Sequence, residues 1–257
     1  MIIYYILSNV TVYKLNTQKL IPFKAKKILF FLQKCSNFLR KNFNFLERKY
    51  NEKVFCTTRN ISKSNDLMKY QKKYPNYLEI CELDLIAENS SNVLTNFLND
   101  RPIDIFINNA GIIGDSNQHF KGVSSNSWLE VLKINLIAPL LITQSIIRNI
   151  EISNDKKIYF ISSKVGSIDD NRGGGMYIYR SSKTALNQVV KSLSIDLKPL
   201  GISVISLHPG WVRTDMGGPN ALISVDESIN GMMSVISNTN IKNSGQFLNY
   251  DGSQIPW

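Results

Sequence analysis

From residue 53 onward, short apolar runs alternate with longer stretches in which apolar residues recur at helical spacing. The short runs predict strands at residues 53–57, 77–82, 103–107, 157–161, 202–207 and 246–249. The stretches between them predict helices. The longest covers 126–149, where Trp128, Val131, Leu132, Leu136, Leu140 and Ile142 fall at helical intervals. Such alternation is the signature of βαβ units, so the expected fold class is α/β, a single doubly wound parallel sheet with helices on both faces.

A chain of 257 residues fits one domain of this kind. Residues 27–257 are assigned to it. Residues 1–26 form an N-terminal extension of no predicted structure, apolar as far as Leu7 and then lysine-bearing without a clean period. No run approaches the roughly 18 consecutive apolar residues of a membrane span. Cys35, Cys56 and Cys81 have neither paired nor metal-ligand spacing, so no disulfide framework and no metal is expected. A reducing compartment, the cytoplasm, follows. The mitochondrion is the alternative, because residues 1–46 hold no acidic residue, as in transit peptides, although they hold only one arginine.

The net charge of +10 suggests an anionic partner until its position is considered. Residues 1–53 carry eleven Lys or Arg against Glu47 and Glu52, which leaves +1 for residues 54–257. A nucleic-acid-binding domain is expected to carry its basic stripe on the folded part with aromatic or helical readers nearby, so no nucleic-acid partner is expected.

Candidate chemistry begins at Tyr179 and Lys183, which sit four residues apart and share one face of a predicted helix. A phenol titrates near 10, and a neighbouring ammonium is expected to lower that value toward a working pH. The predicted strand at 157–161 ends in Ser162-Ser163, and that at 103–107 ends in Asn108-Asn109-Ala110-Gly111. Both turns fall on the carboxyl edge of the sheet, where open α/β sheets bind ligands and where a Ser163 hydroxyl could hold a substrate oxygen. After the strand at 53–57 the chain offers Arg59 and no acid, so if a dinucleotide binds at this edge it meets a cation suited to the 2′-phosphate of NADP rather than an acid suited to the ribose diol of NAD.

These residues resemble, in order, the motifs of the short-chain dehydrogenase/reductase family, and most closely its C-factor-like and small carbonyl-reductase branch. The matching residues are Asn108 to Gly111, Asn135, Ser162-Ser163 with Gly166-Ser167-Ile168, Tyr179, Lys183, the run His208 to Met216, and the ending Asn249-Tyr250-Asp251-Gly252 with Ile255-Pro256-Trp257. The resemblance covers roughly residues 27–257. It implies a Rossmann-like fold and carbonyl reduction by hydride transfer, with Tyr179 as general acid and Ser163 on the carbonyl oxygen. Lys183 would hold the nicotinamide ribose, and Asn135 would complete a proton relay. It also implies cofactor contacts at Asp84 for the adenine, at Asn109, Ala110 and Gly111, and at Val212 and Thr214 for the carboxamide after the bend at Pro209-Gly210. A homodimer through helices 126–149 and 176–197 is implied as well, since the insertion at 169–175 is only a few residues long. Tyr177, Trp211 and Met216 offer either an apolar wall for a small hydrophobic carbonyl substrate or ordinary packing.

One part of the pattern is missing. The family opens with a strand, a turn of spaced glycines and a helix, because glycine lets the backbone approach the pyrophosphate. This chain has no glycine before Gly111. Counting back from Lys53 places the strand at 28–31 and the glycine positions on Leu32, Ser36 and Phe38, a degenerate first turn. The alternative function is therefore a non-catalytic binding or signalling protein on the same scaffold.

Overall fold

The computed structural model describes residues 27–31 and 53–257, with the backbone alone at 28–31. The expected extension at 1–26 and the degenerate turn at Leu32, Ser36 and Phe38 lie outside the described residues. Among the described residues there are seven strands: β1 (Lys27–Phe31), β2 (Lys53–Thr58), β3 (Leu78–Glu82), β4 (Ile105–Asn108), β5 (Lys157–Ile161), β6 (Ser203–His208) and β7 (Phe247–Asn249). They form one sheet in the order β3-β2-β1-β4-β5-β6-β7. Every neighbouring pair is parallel. Among the described residues the helices are α1 (Asn65–Lys73), α2 (Ser90–Leu98), α3 (Ser125–Glu151), α4 (Tyr177–Asp196) and α5 (Val225–Asn238).

The strands read as unbroken apolar runs because both faces are covered. Val54, Cys56, Ile105, Ile107, Tyr159, Ile205 and Leu207 pack on one face with Leu67 of α1 and Ile229, Met232, Val235 and Ile236 of α5. The alternate residues Phe55, Phe106, Ile158, Phe160 and Val204 pack on the other with α2, α3 and α4, through Leu94, Ile142, Ile146, Leu186 and Val190. This is the doubly wound arrangement expected. The strand at 103–107 begins two residues late, since Ile103 and Asp104 serve the strand entry instead. The Asp104 carboxylate accepts from the Lys27 amide at 2.7 Å, and the Asp104 amide donates to the Lys27 carbonyl.

The helix α3 has the length and mean hydropathy, 1.5, of a membrane span. Its apolar residues are nevertheless core: Ile142, Ile146 and Ile150 are fully buried against the sheet. The helix widens into a π turn at Lys133–Ile137. Pro139 supplies the physical reason, because it has no N–H to give the Asn135 carbonyl four residues earlier and its ring would clash there.

The chain order reverses between β1 and β4, whose ends pair as Phe31 with Asn108. A parallel sheet opens a crevice beyond its carboxyl ends at that point. The segment 108–111 therefore leaves the sheet at the switch point.

Candidate active site

Three strand ends meet at this edge. Asn109, Ala110 and Gly111 follow β4, Ser162 and Ser163 follow β5, and Pro209 and Gly210 follow β6. Gly210 has a φ of +83°, and a Cβ there would lie 2.4 Å from Ile223 Cδ1. The bend after β6 thus needs glycine both for its conformation and for the close approach. The Pro209 carbonyl is held by the Ser228 hydroxyl of α5.

Tyr179 and Lys183 project from the first turns of α4 toward the end of β5. Ser163 hydrogen-bonds the Tyr179 side chain. The Lys183 ammonium is buried and donates to the Ile161 carbonyl at 2.8 Å, with its Nζ 5.8 Å from the centre of the Tyr179 ring. A Cβ on Gly111 would sit 3.3 Å from Asn135 Oδ1 and 3.4 Å from Lys183 Nζ. The structure thus brings Gly111, Asn135, Ser163, Tyr179 and Lys183 into one cluster.

The expected lowering of the Tyr179 pKa by Lys183 is not what the cluster produces. Burial pushes the phenol up to about 12, with the hydrogen bond from Ser163 pulling it partly back. Burial brings the Lys183 ammonium down to about 8. Removal from water disfavours the charged form of each group, which raises the phenol and lowers the ammonium. At neutral pH the phenol accordingly holds its proton and the amine is still charged.

Asn135 is fully buried, and its amide is spent. Its Oδ1 accepts from the Ile112 amide at 2.9 Å, and its Nδ2 donates to the Ile112 carbonyl at 2.8 Å and to Ser182 Oγ at 3.0 Å. The side chain therefore clamps the loop after β4 to α4. The Asn135 backbone carbonyl, by contrast, has lost its α-helical donor at Pro139.

The remaining expected contacts lie apart from this cluster. Arg59 is exposed after β2 and makes no ion pair with any described residue. Asp84 is exposed after β3, where its carboxylate accepts from the Ile86 amide at 3.2 Å. Val212 and Thr214 belong to a closed loop in which Val212 pairs with Ile223. There Thr214 Oγ1 donates to the Val212 carbonyl at 3.3 Å and accepts from the Gly217 amide at 3.2 Å. Tyr177, Trp211 and Met216 are all exposed, at 40%, 50% and 53%, so the packing alternative falls and an apolar surface remains. Trp211 Nε1 donates to the Gly217 carbonyl.

Sequence reasoning missed two residues. Glu82 stands opposite Thr58 in the β2–β3 register, and its carboxylate accepts from the Ile61 amide at 2.8 Å, beside the Arg59 turn. An acid therefore does stand near this turn; only the strand register could have shown it. Gln118 reaches the first turn of α4, where its Oε1 accepts from the Tyr179 amide.

Gly166 fixes the distance between the loop after Ser163 and α4. A Cβ there would lie 2.8 Å from Lys183 Cβ and 2.9 Å from the Lys183 carbonyl carbon. The Gly166 carbonyl also accepts from Thr184 Oγ1 at 2.8 Å. Gly166→Ala is expected to cost about 1–3 kcal/mol by overpacking and to displace Lys183. Denaturant unfolding and turnover measured together check this, and a variant with unchanged stability and rate would contradict it.

The model of the short chain dehydrogenase family matches residues 47–222. The chain is 38% identical over 162 residues to C-signal of Myxococcus xanthus, covering 61% of this chain and 93% of that protein. The carbonyl reductase Sniffer of D. melanogaster superposes with a TM-score of 0.82 at 32% identity, over 91% of this chain and 100% of that one. An NADPH-bound carbonyl reductase from chicken fatty liver gives 0.80 at 30% identity, over 91% and 100%. The chain belongs to the short-chain dehydrogenase/reductase family and is an oxidoreductase of the small carbonyl-reductase type.

Proposed function

We propose that the chain uses NADPH to reduce the carbonyl of a small hydrophobic aldehyde, ketone or quinone to an alcohol. The observation that carries this reading is the meeting, at the end of β5, of a protonated phenol, a serine hydroxyl bonded to it and a buried ammonium. Tyr179 is the general acid that gives its proton to the substrate oxygen, and Ser163 donates a hydrogen bond to that oxygen. Lys183 holds the nicotinamide ribose and sets a positive charge behind the phenol. Asn135, whose side-chain amide is spent on Ile112 and Ser182, is assigned to completing a proton relay through water. When bound, the nicotinamide supplies the hydride.

The described residues fit that cofactor at two places. The missing side chain at Gly111 leaves the approach to Lys183 Nζ open, and Arg59 offers an exposed guanidinium for a 2′-phosphate. Asp84, Asn109, Ala110, Pro209, Gly210, Val212 and Thr214 are assigned to the same cofactor by their positions on this edge. Arg59→Ala is expected to raise the KM for NADPH about tenfold or more, one charge-assisted hydrogen bond being worth about 1.5–3 kcal/mol. The KM for NADH should change less than twofold. Equal effects on the two cofactors would assign the 2′-phosphate elsewhere.

The compartment is proposed as the cytoplasm, in keeping with Cys56 and Cys81, which are buried as thiols. A homodimer through α3 and α4 is proposed from the exposed apolar residues Leu129, Ile137, Leu141 and Ile195 on those helices. A second reading, a non-catalytic binding or signalling protein, is favoured by the lack of any glycine before Gly111 and by the likeness to a protein named C-signal. Assay of the purified folded chain with NADPH and a panel of aromatic aldehydes and quinones separates the two, since only the first reading predicts turnover.

A further inference from the structure

We propose that Gln118 is a positioning residue that holds the Tyr179 end of α4 against the loop after β4, and so sets where the phenol stands. The helix needs such a device. Its N-cap residue, Met176, adopts a left-handed conformation (φ 50°, ψ 38°) and makes no side-chain cap hydrogen bond. The Arg180 amide closes the first turn on the Met176 carbonyl, but the amides before it have no acceptor within the helix. Gln118, 61 residues away in sequence, takes their place. Its Oε1 accepts from the Tyr179 amide at 2.9 Å, and its backbone carbonyl accepts from the Tyr177 amide at 3.4 Å.

The other half of the amide faces the opposite way. Gln118 Nε2 donates to the Ile113 carbonyl at 2.7 Å and to the Asp115 carbonyl at 2.9 Å. Both donors and the acceptor of the side chain are thus in use, and Gln118 is 5% exposed. The same loop is pinned four residues after β4 by Asn135 on Ile112, and Asn135 also reaches Ser182, whose hydroxyl donates to the Tyr179 carbonyl at 2.8 Å. Tyr179 is therefore tied to the loop through both its amide and its carbonyl. Gln118 makes the first tie and Asn135 the second. The loop carries Gly111, beside Lys183 Nζ, so a shift at Gln118 changes the spacing of phenol, ammonium and substrate carbonyl together. Misplacement by about an ångström costs on the order of a hundredfold in rate.

This inference rests on the reading of Tyr179 as general acid, and its test separates the two. In Gln118→Met, which keeps the volume but removes all three bonds, the Tyr179 amide is expected to exchange with solvent at least tenfold faster than in wild type. The kcat should fall about tenfold to a hundredfold, while NADPH affinity stays within threefold and the protein remains fully folded at the assay temperature. Gln118→Glu keeps the acceptor but loses donors, and its Tyr179 amide should stay closer to wild-type protection. Wild-type exchange at Tyr179 in Gln118→Met would overturn the proposal. So would a kcat within twofold of wild type, or a loss of kcat matched by equal losses of NADPH affinity and folded fraction. If wild type itself turns over no carbonyl, the proposed function fails, and the amide exchange still decides whether Gln118 holds the helix.

Discussion

Replacing Tyr179 with Phe is expected to lower carbonyl turnover by at least about a thousandfold while leaving the fold intact. General acid catalysis alone contributes on the order of a hundredfold to ten-thousandfold, and the variant also removes the hydroxyl that Ser163 bonds. The ring stays, so the packing at the start of α4 is kept. Circular dichroism with steady-state kinetics checks both halves of this expectation, and full activity in the variant would remove Tyr179 from the reaction. The pH dependence of the wild type carries a related signature. Tyr179 keeps its proton up to about pH 12, whereas Lys183 releases its own near 8. The kcat/KM for reduction should therefore be level below pH 8 and fall above it. Stability should move the other way: a lysine whose folded pKa lies below its ordinary 10.5 penalises folding while it is charged in both states. That penalty is complete below about pH 8 and fades as the pH rises toward 10.5.

The second large effect concerns the pyrophosphate. Counting back from Lys53 sets Leu32, Ser36 and Phe38 at the positions where the resemblance calls for glycine, so two bulky side chains are expected on the approach to the phosphates. Two or three lost hydrogen bonds to a charged group, at about 1.5–3 kcal/mol each, correspond to a weakening on the order of a hundredfold or more. NADPH binding by this chain is expected to be weak but measurable, since Arg59 and Lys183 remain. Placing Gly at 32, 36 and 38 together should tighten it at least tenfold, read by nicotinamide fluorescence. Equal affinity in the two proteins would show that residues 1–46 form the phosphate site in another way.

What the sequence made legible was set by local physics. The run Lys157–Ile161 is found as expected because a strand covered on both faces needs only apolar side chains, and those are visible in any short window. Counting back from Lys53 predicts a strand at 28–31, and β1 is Lys27–Phe31, because βαβ units repeat with nearly constant spacing. Tyr179 and Lys183 were legible as a pair for the same reason: four residues on a helix define their own geometry. The direction of the Tyr179 shift was not. It depends on how much of α4 is buried against the loops after β4 and β5, and no window of sequence carries that. Glu82 and Gln118 were hidden for a related reason. One acts across a strand register and the other across 61 residues, so neither has a local pattern.

Carbonyl reduction by Tyr179 requires that this folded chain oxidise NADPH in the presence of a small hydrophobic carbonyl. The decisive measurement is the rate of NADPH loss with aromatic aldehydes and quinones, at cofactor concentrations high enough to offset weak binding, for wild type beside Tyr179→Phe. Turnover in the wild type with product alcohol in equal amount, and none above background in the variant, is the predicted result. No turnover by the folded wild type, with or without Gly at 32, 36 and 38, would contradict the account and leave the non-catalytic reading in its place.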